Sequence, residues 1–140
     1  MSRGITILLP TFNEVGALPG VVDSLPLREL KEVGWSPRVV VADGRSTDGT
    51  QELVTKMGLE LIVQGPPAGK GFGMREAFAR FLTHDDDVLV MLDADGTYAP
   101  KDMLRLILHL ERGEYDVVIG SRLRGNIQPG AMSRINWIGN

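Results

Sequence analysis

Cysteine is absent from this 140-residue chain, which excludes disulfides and thiolate metal sites and fits a cytoplasmic protein. Aromatic residues make up only 6% of the chain, and no apolar run approaches the roughly 18 residues that cross a membrane. The apolar segment near the amino terminus is too short for a signal peptide and has no small-residue cleavage site. With 43% hydrophobic and 24% charged residues, the composition predicts one globular domain over residues 1–140.

Basic residues are slightly outnumbered, with 15 Lys and Arg against 18 Asp and Glu and a formal net charge of −3. Residues 121–140 contain three arginines and no acid, so the rest of the chain is more acidic than the total suggests. This balance argues against a nucleic-acid-binding protein and allows an anion site near the carboxyl terminus. The final residues, GAMSRINWIGN, carry apolar side chains and no helix stop, and we expect the chain to be cut inside a segment that continues.

The stretch VLVMLDADGTYAP predicts a buried strand that runs into two carboxylates. Five apolar residues, Val88 to Leu92, are typical of a central parallel strand covered on both faces. Asp93 and Asp95 follow, and residues two apart in an extended backbone point the same way. Both carboxylates can then face one site beyond the carboxyl edge of the sheet, where Mg²⁺ or Mn²⁺ carrying substrate phosphates is the natural ligand. A plain turn is the alternative, because Asp and Gly also favour turns.

Apolar runs and helical spacings alternate along the rest of the chain and predict an α/β fold. The predicted strands are residues 5–9, 38–42, 59–63, 88–92 and 116–119. The predicted helices begin after the N-cap Asn13, at Asp48 or Thr50, at about Met74 with Ala77, Phe78 and Phe81 inward, and at Pro100. Because the crossovers make the strands parallel, every strand's carboxyl end falls on one edge of the sheet.

The segment Gly65 to Gly73 is rich in glycine and proline and leads into the helix predicted from Met74. Glycines before a helix allow backbone N–H groups to approach phosphate oxygens, and Lys70 can add a charge-assisted bond. The spacing is not that of a Walker P-loop, and a plain linker is the alternative. The acidic run Asp85 to Asp87 enters its strand from the opposite edge, so we expect a solvated connection there rather than a metal site.

Four loops at the same predicted edge carry side chains that can bind a ligand. They are the loops with Asn13 and Glu14, with Asp43, with Asp93 and Asp95, and with Arg122. Carboxylates suit a metal-bound diphosphate, and hydrogen-bond acceptors suit a ribose and a base. The sequence therefore predicts a sugar nucleotide or a similar nucleoside diphosphate as the ligand.

Five ordered motifs, LPTFNE, ADGRSTDGT, GKGFGMREAF, LDADGTYAP and VVIGSRLRG, resemble the family 2 inverting glycosyltransferases of GT-A fold. The resemblance covers nearly the whole chain and is closest to the dolichyl- or undecaprenyl-phosphate sugar transferases, of the dolichol-phosphate mannosyltransferase type. It implies a three-layer α/β/α, Rossmann-like nucleotide-diphospho-sugar transferase fold with a mainly parallel sheet, in one catalytic domain. It also implies that a hexose is moved from a UDP- or GDP-linked sugar to a polyprenyl or dolichyl phosphate, with inversion and with Mg²⁺ or Mn²⁺.

The resemblance further implies roles for individual residues. The implied nucleotide-binding residues are Pro10, Thr11, Phe12, Glu14, Asp43, Lys70 and Asp93, with Asp43 at the base or ribose and Lys70 in a mobile loop. Asp48 matches a second acid of the Asp43 motif. Asp93 and Asp95 are the implied metal ligands, and Asp95 with Arg122 are the implied catalytic residues, Arg122 binding the acceptor phosphate.

The implied partners are a nucleotide-sugar donor, a lipid-phosphate acceptor and the cytoplasmic face of a membrane. Because Ala42 stands where many relatives have an acid, and Gly96-Thr97-Tyr98 offers no Gln after the D-x-D, UDP-glucose-like and GDP-mannose donors both stay open. Two other functions also stay open. One is a nucleotide-sugar-binding fragment without turnover, and the other is a haloacid dehalogenase-type phosphatase, whose D-x-D-G-T resembles LDADGT but normally ends the first strand.

Overall fold

The computed structural model describes residues 3–67 and 69–121, and the contacts of the chain divide it into two units, residues 1–104 and 105–140. The strands are β1 (Arg3–Thr11), β2 (Trp35–Asp43), β3 (Glu60–Val63) and β4 (Val88–Met91). The helices are α1 (Leu18–Asp23), α2 (Leu27–Glu32), α3 (Thr50–Lys56), α4 (Lys70–Phe81) and α5 (Met103–Glu111), with a 3-10 turn at Pro100–Asp102. No helix in the described ranges is both long and apolar enough to cross a membrane.

All four strands of the sheet are parallel and lie in the order β3-β2-β1-β4. In the centre, Ile7 of β1 pairs with Val39 of β2 on one side and with Val90 of β4 on the other. Five consecutive residues of β1, from Ile5 to Leu9, are at most 2% exposed, as expected for a strand covered on both faces. The parallel α/β arrangement predicted from the sequence is confirmed.

Helices cover both faces of this sheet. On one face Ala77 of α4 packs with Leu8, Val40 and Ala42, next to the partly buried Met74. The connections from β1 to β2 and from β2 to β3 run in the opposite direction across the sheet to the connection that contains α4. Because such crossovers are right-handed, α1, α2 and α3 lie on the other face.

The order in which strands are added to the sheet reverses at β1, since β2 and β3 lie on one side of it and β4 lies on the other. At such a switch point the loops that leave the two neighbouring strands turn away from each other and open a crevice at the carboxyl edge. The strand order therefore predicts a crevice beyond the carboxyl ends of β1 and β4.

Two predictions about strands are wrong. β4 is not covered on both faces, because Met91 is 50% exposed and β4 is the last strand of the described sheet. Residues 116–119 form no strand, and Val117 and Ile119 are 73% and 83% exposed. An apolar run becomes a strand only where a neighbour hydrogen-bonds to it, and the run itself does not supply that neighbour.

The helix boundaries also differ from the prediction. α4 begins at Lys70, not near Met74, because its packing on the sheet outweighs the roughly 1 kcal/mol that each glycine costs in a helix. Phe78, predicted inward, is 44% exposed. Asn13 is not an N-cap, since it has φ of 55° and α1 begins only at Leu18. The sequence prediction contained no helix at α2.

The acidic run before β4 is not simply solvated. Asp86 accepts hydrogen bonds from the Thr6 hydroxyl and from Arg38, whose Nε and Nη2 lie 3.1 and 2.8 Å from its Oδ2. Arg38 Nη1 also donates to Glu60 at 2.6 Å. A Cβ on Gly4 would lie 2.8 Å from the backbone Cα of Asp86, so this approach requires glycine in β1. These contacts tie the amino ends of the strands together, and we call Thr6, Arg38, Glu60 and Asp86 the amino-edge network.

Hydrogen bonding and burial act in opposite directions on Asp86. Burial, the largest effect, raises the pKa of this carboxyl group, and the hydrogen bonds from Thr6 and Arg38 together with the charge of Arg38 lower it. The lowering effects prevail, so the pKa of Asp86 lies below its ordinary value. The charged carboxylate is therefore the form that the folded protein stabilises.

Candidate functional site

A cavity of about 480 Å³ lies at the carboxyl edge of the sheet, where the strand order predicts a crevice. Its volume falls in the range of roughly 300–1,000 Å³ that is usual for small-molecule sites. The lining residues that matter chemically come from the end of β1 (Pro10, Thr11, Phe12, Glu14), the turn after β4 (Asp93, Asp95) and the start of α4 (Gly69, Lys70). Residues of four of the five motifs thus meet in one place, and the end of the fifth, VVIGSRLRG, lies outside the described residues.

The turn after β4 presents its two carboxylates in different surroundings. Asp93 has a side chain 29% exposed, and its Oδ1 lies 3.4 Å from Lys70 Nζ. Asp95 is exposed, and its Oδ1 accepts the N–H of Thr97 at 2.8 Å. Gly96 has φ of 78°, which lets the chain turn directly after Asp95. Both carboxylates line the cavity, although a tight turn and not an extended backbone carries them there.

The loops after β1 and β2 are hydrogen-bonded to each other. Asn13 accepts the N–H of Thr47 with its Oδ1 at 2.9 Å, and its own N–H donates to Ser46 Oγ at 2.8 Å. The N–H of Glu14 donates to Thr50 Oγ1 at 3.1 Å. Backbone groups bonded in this way cannot turn freely, so the two motifs form one preorganised wall of the cavity.

Asp43 supports this wall from behind. It is 1% exposed and accepts the N–H groups of Arg45 and Ser46, both at 2.9 Å, to Oδ2. Its carboxylate also accepts from Ser46 Oγ at 2.5 Å and from Gln51 Nε2 at 2.6 Å. Asp43 does not line the cavity, but the next residue, Gly44, does. Its contacts are those of a residue that shapes a loop.

Asp48 plays a similar part at the start of α3. Its carboxylate accepts the hydroxyl and N–H of Thr50 at 2.5 and 3.1 Å and the N–H of Val15 at 3.1 Å. The hydrogen bond from the Thr50 hydroxyl is the largest cause of a pKa below the ordinary value for Asp48. The predicted helix start is confirmed within one residue, with Gly49 preceding the helix.

The electrostatics of the cavity favour a cation together with an anionic ligand. Three carboxylates, on Glu14, Asp93 and Asp95, face one ammonium group, on Lys70. In the described ranges no three acidic, His or Cys side chains are close enough together to enclose a metal ion. Mg²⁺ and Mn²⁺ do not need such an enclosure, since they bind through one or two carboxylates and complete their shell with water and phosphate. Asp93 and Asp95 fit that kind of site.

Most of the predicted site residues that the structure describes converge on the cavity, and one, Asp43, does not. Pro10, Thr11, Phe12, Glu14, Lys70, Asp93 and Asp95 line it. Asp43 lies behind the wall, and Arg122 lies outside the described residues. Lys70 is the first residue of α4 and not part of a loop. Sequence reasoning missed Gln64, a buried lining residue, although it too follows a strand as the other site residues do.

The chain matches known glycosyltransferases in sequence. Residues 6–138 match the family described as Glycosyl transferase family 2. Glycosyltransferase AglJ of Haloferax volcanii is 38% identical over 97% of this chain and 41% of its own length. The low-salt glycan biosynthesis hexosyltransferase Agl6 of the same organism is 34% identical over 91% of this chain and 30% of its own length. The chain therefore spans less than half of these curated relatives.

Solved structures match the fold. Glucosyl-3-phosphoglycerate synthase from Mycobacterium tuberculosis in complex with UDP superposes with a TM-score of 0.64 at 25% identity, over 80% of this chain and 41% of the synthase. The same synthase with Mn²⁺, UDP-glucose and phosphoglyceric acid gives a TM-score of 0.63 at 24% identity, over 80% and 40%. These matches confirm the GT-A, Rossmann-like fold.

Proposed function

The chain belongs to glycosyl transferase family 2, and we propose that its cavity binds the nucleoside diphosphate sugar from which a hexose is transferred to an acceptor. One observation carries the proposal. The carboxylates after β4 and the amino end of α4 with Lys70 line the same cavity at the switch point of a parallel sheet. The UDP held by the synthase of the same fold supports this ligand class.

We assign the diphosphate to the space between Asp93, Asp95 and the start of α4. The amino end of a 12-residue helix presents unpaired N–H groups that favour phosphate, and Lys70 adds a positive charge. Asp95 and Asp93 would hold Mg²⁺ or Mn²⁺, as the Mn²⁺ complex of the synthase supports. When bound, the metal supplies positive charge that stabilises the departing nucleoside diphosphate.

The nucleoside would lie against the wall formed by the loops after β1 and β2. Phe12 is 61% exposed at the cavity and offers a ring face to a base. A Cβ on Gly44 would lie 3.4 Å from Phe12 Cδ2, so Gly44 packs beside this ring. Asp43 acts through the loop that it holds, since four donors already occupy its carboxylate.

The acceptor that we propose is a polyprenyl or dolichyl phosphate. Its phosphate oxygen attacks the anomeric carbon with inversion, the bond from that carbon to the donor phosphate breaks, and the nucleoside diphosphate leaves with the electron pair. An anionic phosphate needs no general base, so this chain contributes positioning, with Arg122 as the residue assigned to the acceptor phosphate. Such an acceptor would bring the protein to the cytoplasmic face of a membrane. The phosphoglyceric acid in the synthase complex supports an acceptor that bears a phosphate, and the lipid part of the acceptor is proposed from the sequence resemblance alone.

The donor assignment is tested by titration calorimetry with UDP-glucose and with GDP-mannose, each with Mn²⁺ and with excess chelator. We expect one donor to bind in the presence of the metal and to lose most of its affinity in chelator. Equal affinity in both conditions would contradict the assignment of Asp93 and Asp95 to a metal.

The acceptor is tested by hexose transfer from the bound donor to undecaprenyl phosphate, dolichyl phosphate or 3-phosphoglycerate. Transfer to a lipid phosphate supports the proposal, and transfer only to phosphoglycerate replaces it. Donor binding without transfer to any of them favours the alternative of a binding fragment. The phosphatase alternative receives no support, because Asp93 follows the fourth strand and the relatives are glycosyltransferases.

A further inference from the structure

Gln64 lies behind the amino end of α4, and we propose that it is a positioning residue that fixes this helix end and Lys70 in the donor cavity. The inference rests on the proposed function for its consequence, donor binding, but its structural part can be tested separately.

Gln64 follows β3 directly and is 6% exposed. Its backbone N–H donates to the carbonyl of Asp43 at 2.9 Å, which extends the pairing of β3 with β2 by one residue. Its side-chain Nε2 donates to the carbonyls of Pro67 and Gly69, at 3.1 and 2.9 Å. Both N–H groups of the amide therefore bind the segment that enters α4.

One further hydrogen bond and one close approach connect the same segment with α4. The N–H of Gly65 donates to the carboxylate of Glu76, with distances of 3.3 and 3.1 Å to its two oxygens. A Cβ on Gly73 would lie 3.1 Å from Gln64 Oε1, so glycine at this position lets the helix approach the amide closely. The glycine and proline content of this segment predicts a flexible backbone, but the Glu76 side chain binds it at Gly65 and the Gln64 side chain binds it at Gly69.

Gln64 binds the carbonyl of Gly69, which lies at the point where α4 begins beside the cavity. Gly69 immediately precedes Lys70, both line the cavity, and Lys70 Nζ lies 3.4 Å from Asp93. A glycine-rich segment without the amide would sample many conformations, and a phosphate ligand would have to select one of them. Gln64 therefore contributes to affinity by keeping the helix end ordered before the ligand arrives.

The test uses Gln64→Leu, which removes the donors at similar volume, and Gln64→Glu, which keeps the shape and replaces the amide donor by a carboxylate. We expect roughly tenfold weaker binding of UDP-glucose or GDP-mannose with Mn²⁺, the factor equivalent to one net hydrogen bond. We also expect faster hydrogen exchange in the protein without ligand at the amides of Phe72 and Gly73, which donate to the Gly69 carbonyl. Gln64→Asn, whose amide is one methylene too short to reach, serves if Leu prevents folding.

Thr6→Val is the matched control, because Thr6 is 2% exposed and loses its hydrogen bonds at the opposite edge of the sheet. It should lower the melting temperature and leave both donor affinity and exchange at the Phe72 and Gly73 amides unchanged. Parent-like exchange in all the Gln64 variants, or parent-like affinity in Gln64→Glu, would overturn the positioning role. If the parent protein binds neither donor, the proposed function fails, and the exchange data alone decide whether Gln64 orders this segment.

Discussion

Replacing Asp86 by Asn tests whether the amino-edge network stabilises the fold. Asp86 and Arg38 have side chains that are 17% and 27% exposed, so solvent screens their interaction only in part. A hydrogen bond to a charged group contributes about 1.5–3 kcal/mol net, and Asp86 accepts three hydrogen bonds that share one carboxylate oxygen and are not additive. We expect Asp86→Asn to lower the free energy of unfolding by about 2 kcal/mol at pH 7.

The same variant should change the pH dependence of stability. The pKa of Asp86 is lowered in the folded protein, so its contribution is fully present above the ordinary value of 3.8 and is lost as the pH falls through the folded pKa. The difference between the parent and Asp86→Asn should therefore be constant from neutral pH down to about pH 5 and should narrow below about pH 4. This direction follows from the lowered pKa alone.

Urea unfolding monitored by circular dichroism at pH 7, 5 and 3 measures both effects. A double-mutant cycle with Arg38→Met isolates the pair and should give a coupling of about 1–2 kcal/mol. Glu32→Gln is the control, since the Arg28–Glu32 pair is 82% and 64% exposed and separated by 3.6 Å, and it should change nothing measurable. A coupling near zero, or a difference that stays constant down to pH 3, would refute the reasoning.

Three further predictions concern the cavity and the loop that Asp43 holds behind it. Asp95→Ala should abolish metal-dependent donor binding in calorimetry and lower the free energy of unfolding by about 1 kcal/mol or less, because Asp95 is exposed and its carboxylate accepts the N–H of Thr97. Retained metal-dependent affinity would remove Asp95 from the metal site. Asp43→Asn should lower the free energy of unfolding in urea by about 2–3 kcal/mol, because the new amide nitrogen would face donors that now bind a buried carboxylate. A variant as stable as the parent would contradict the role of Asp43 in holding its loop. Phe12→Ala should weaken donor binding and leave the melting temperature unchanged, because the Phe12 ring is 61% exposed. Equal affinity in the parent and the variant would show that the base does not stack on this ring.

The position of the site could be predicted from the sequence because it depends on chain direction. Apolar runs that alternate with helices force the strands to be parallel, and the polar residues that follow them must then share one edge. Glu14, Asp93 and Asp95 reach the cavity for this reason, even though the turn at Gly96 differs from the extended backbone that we expected.

What could not be predicted depends on contacts between residues far apart in the chain. Asn is a common N-cap residue, but the Asn13 side chain accepts the N–H of Thr47, thirty-four residues later. Asp43 stands where a ligand-binding residue is expected, but N–H groups of the loop that follows it donate to its carboxylate. Asp86 lies in an acidic run that is typical of a solvated loop, but Arg38 of β2 forms an ion pair with it. Local propensity contains no information about such partners.

The amino-edge network and the cavity lie at opposite ends of the same strands. From Thr6 to Thr11 along β1 the separation is about 16 Å at roughly 3.3 Å per residue, and substitutions more than about 7–10 Å apart without shared partners usually have additive effects. Mutations in the loops that line the cavity should therefore combine additively with stabilising mutations at the amino edge. If the cavity is the proposed donor site, directed evolution of its ligand preference should add stability at the strand starts before the strand ends are varied.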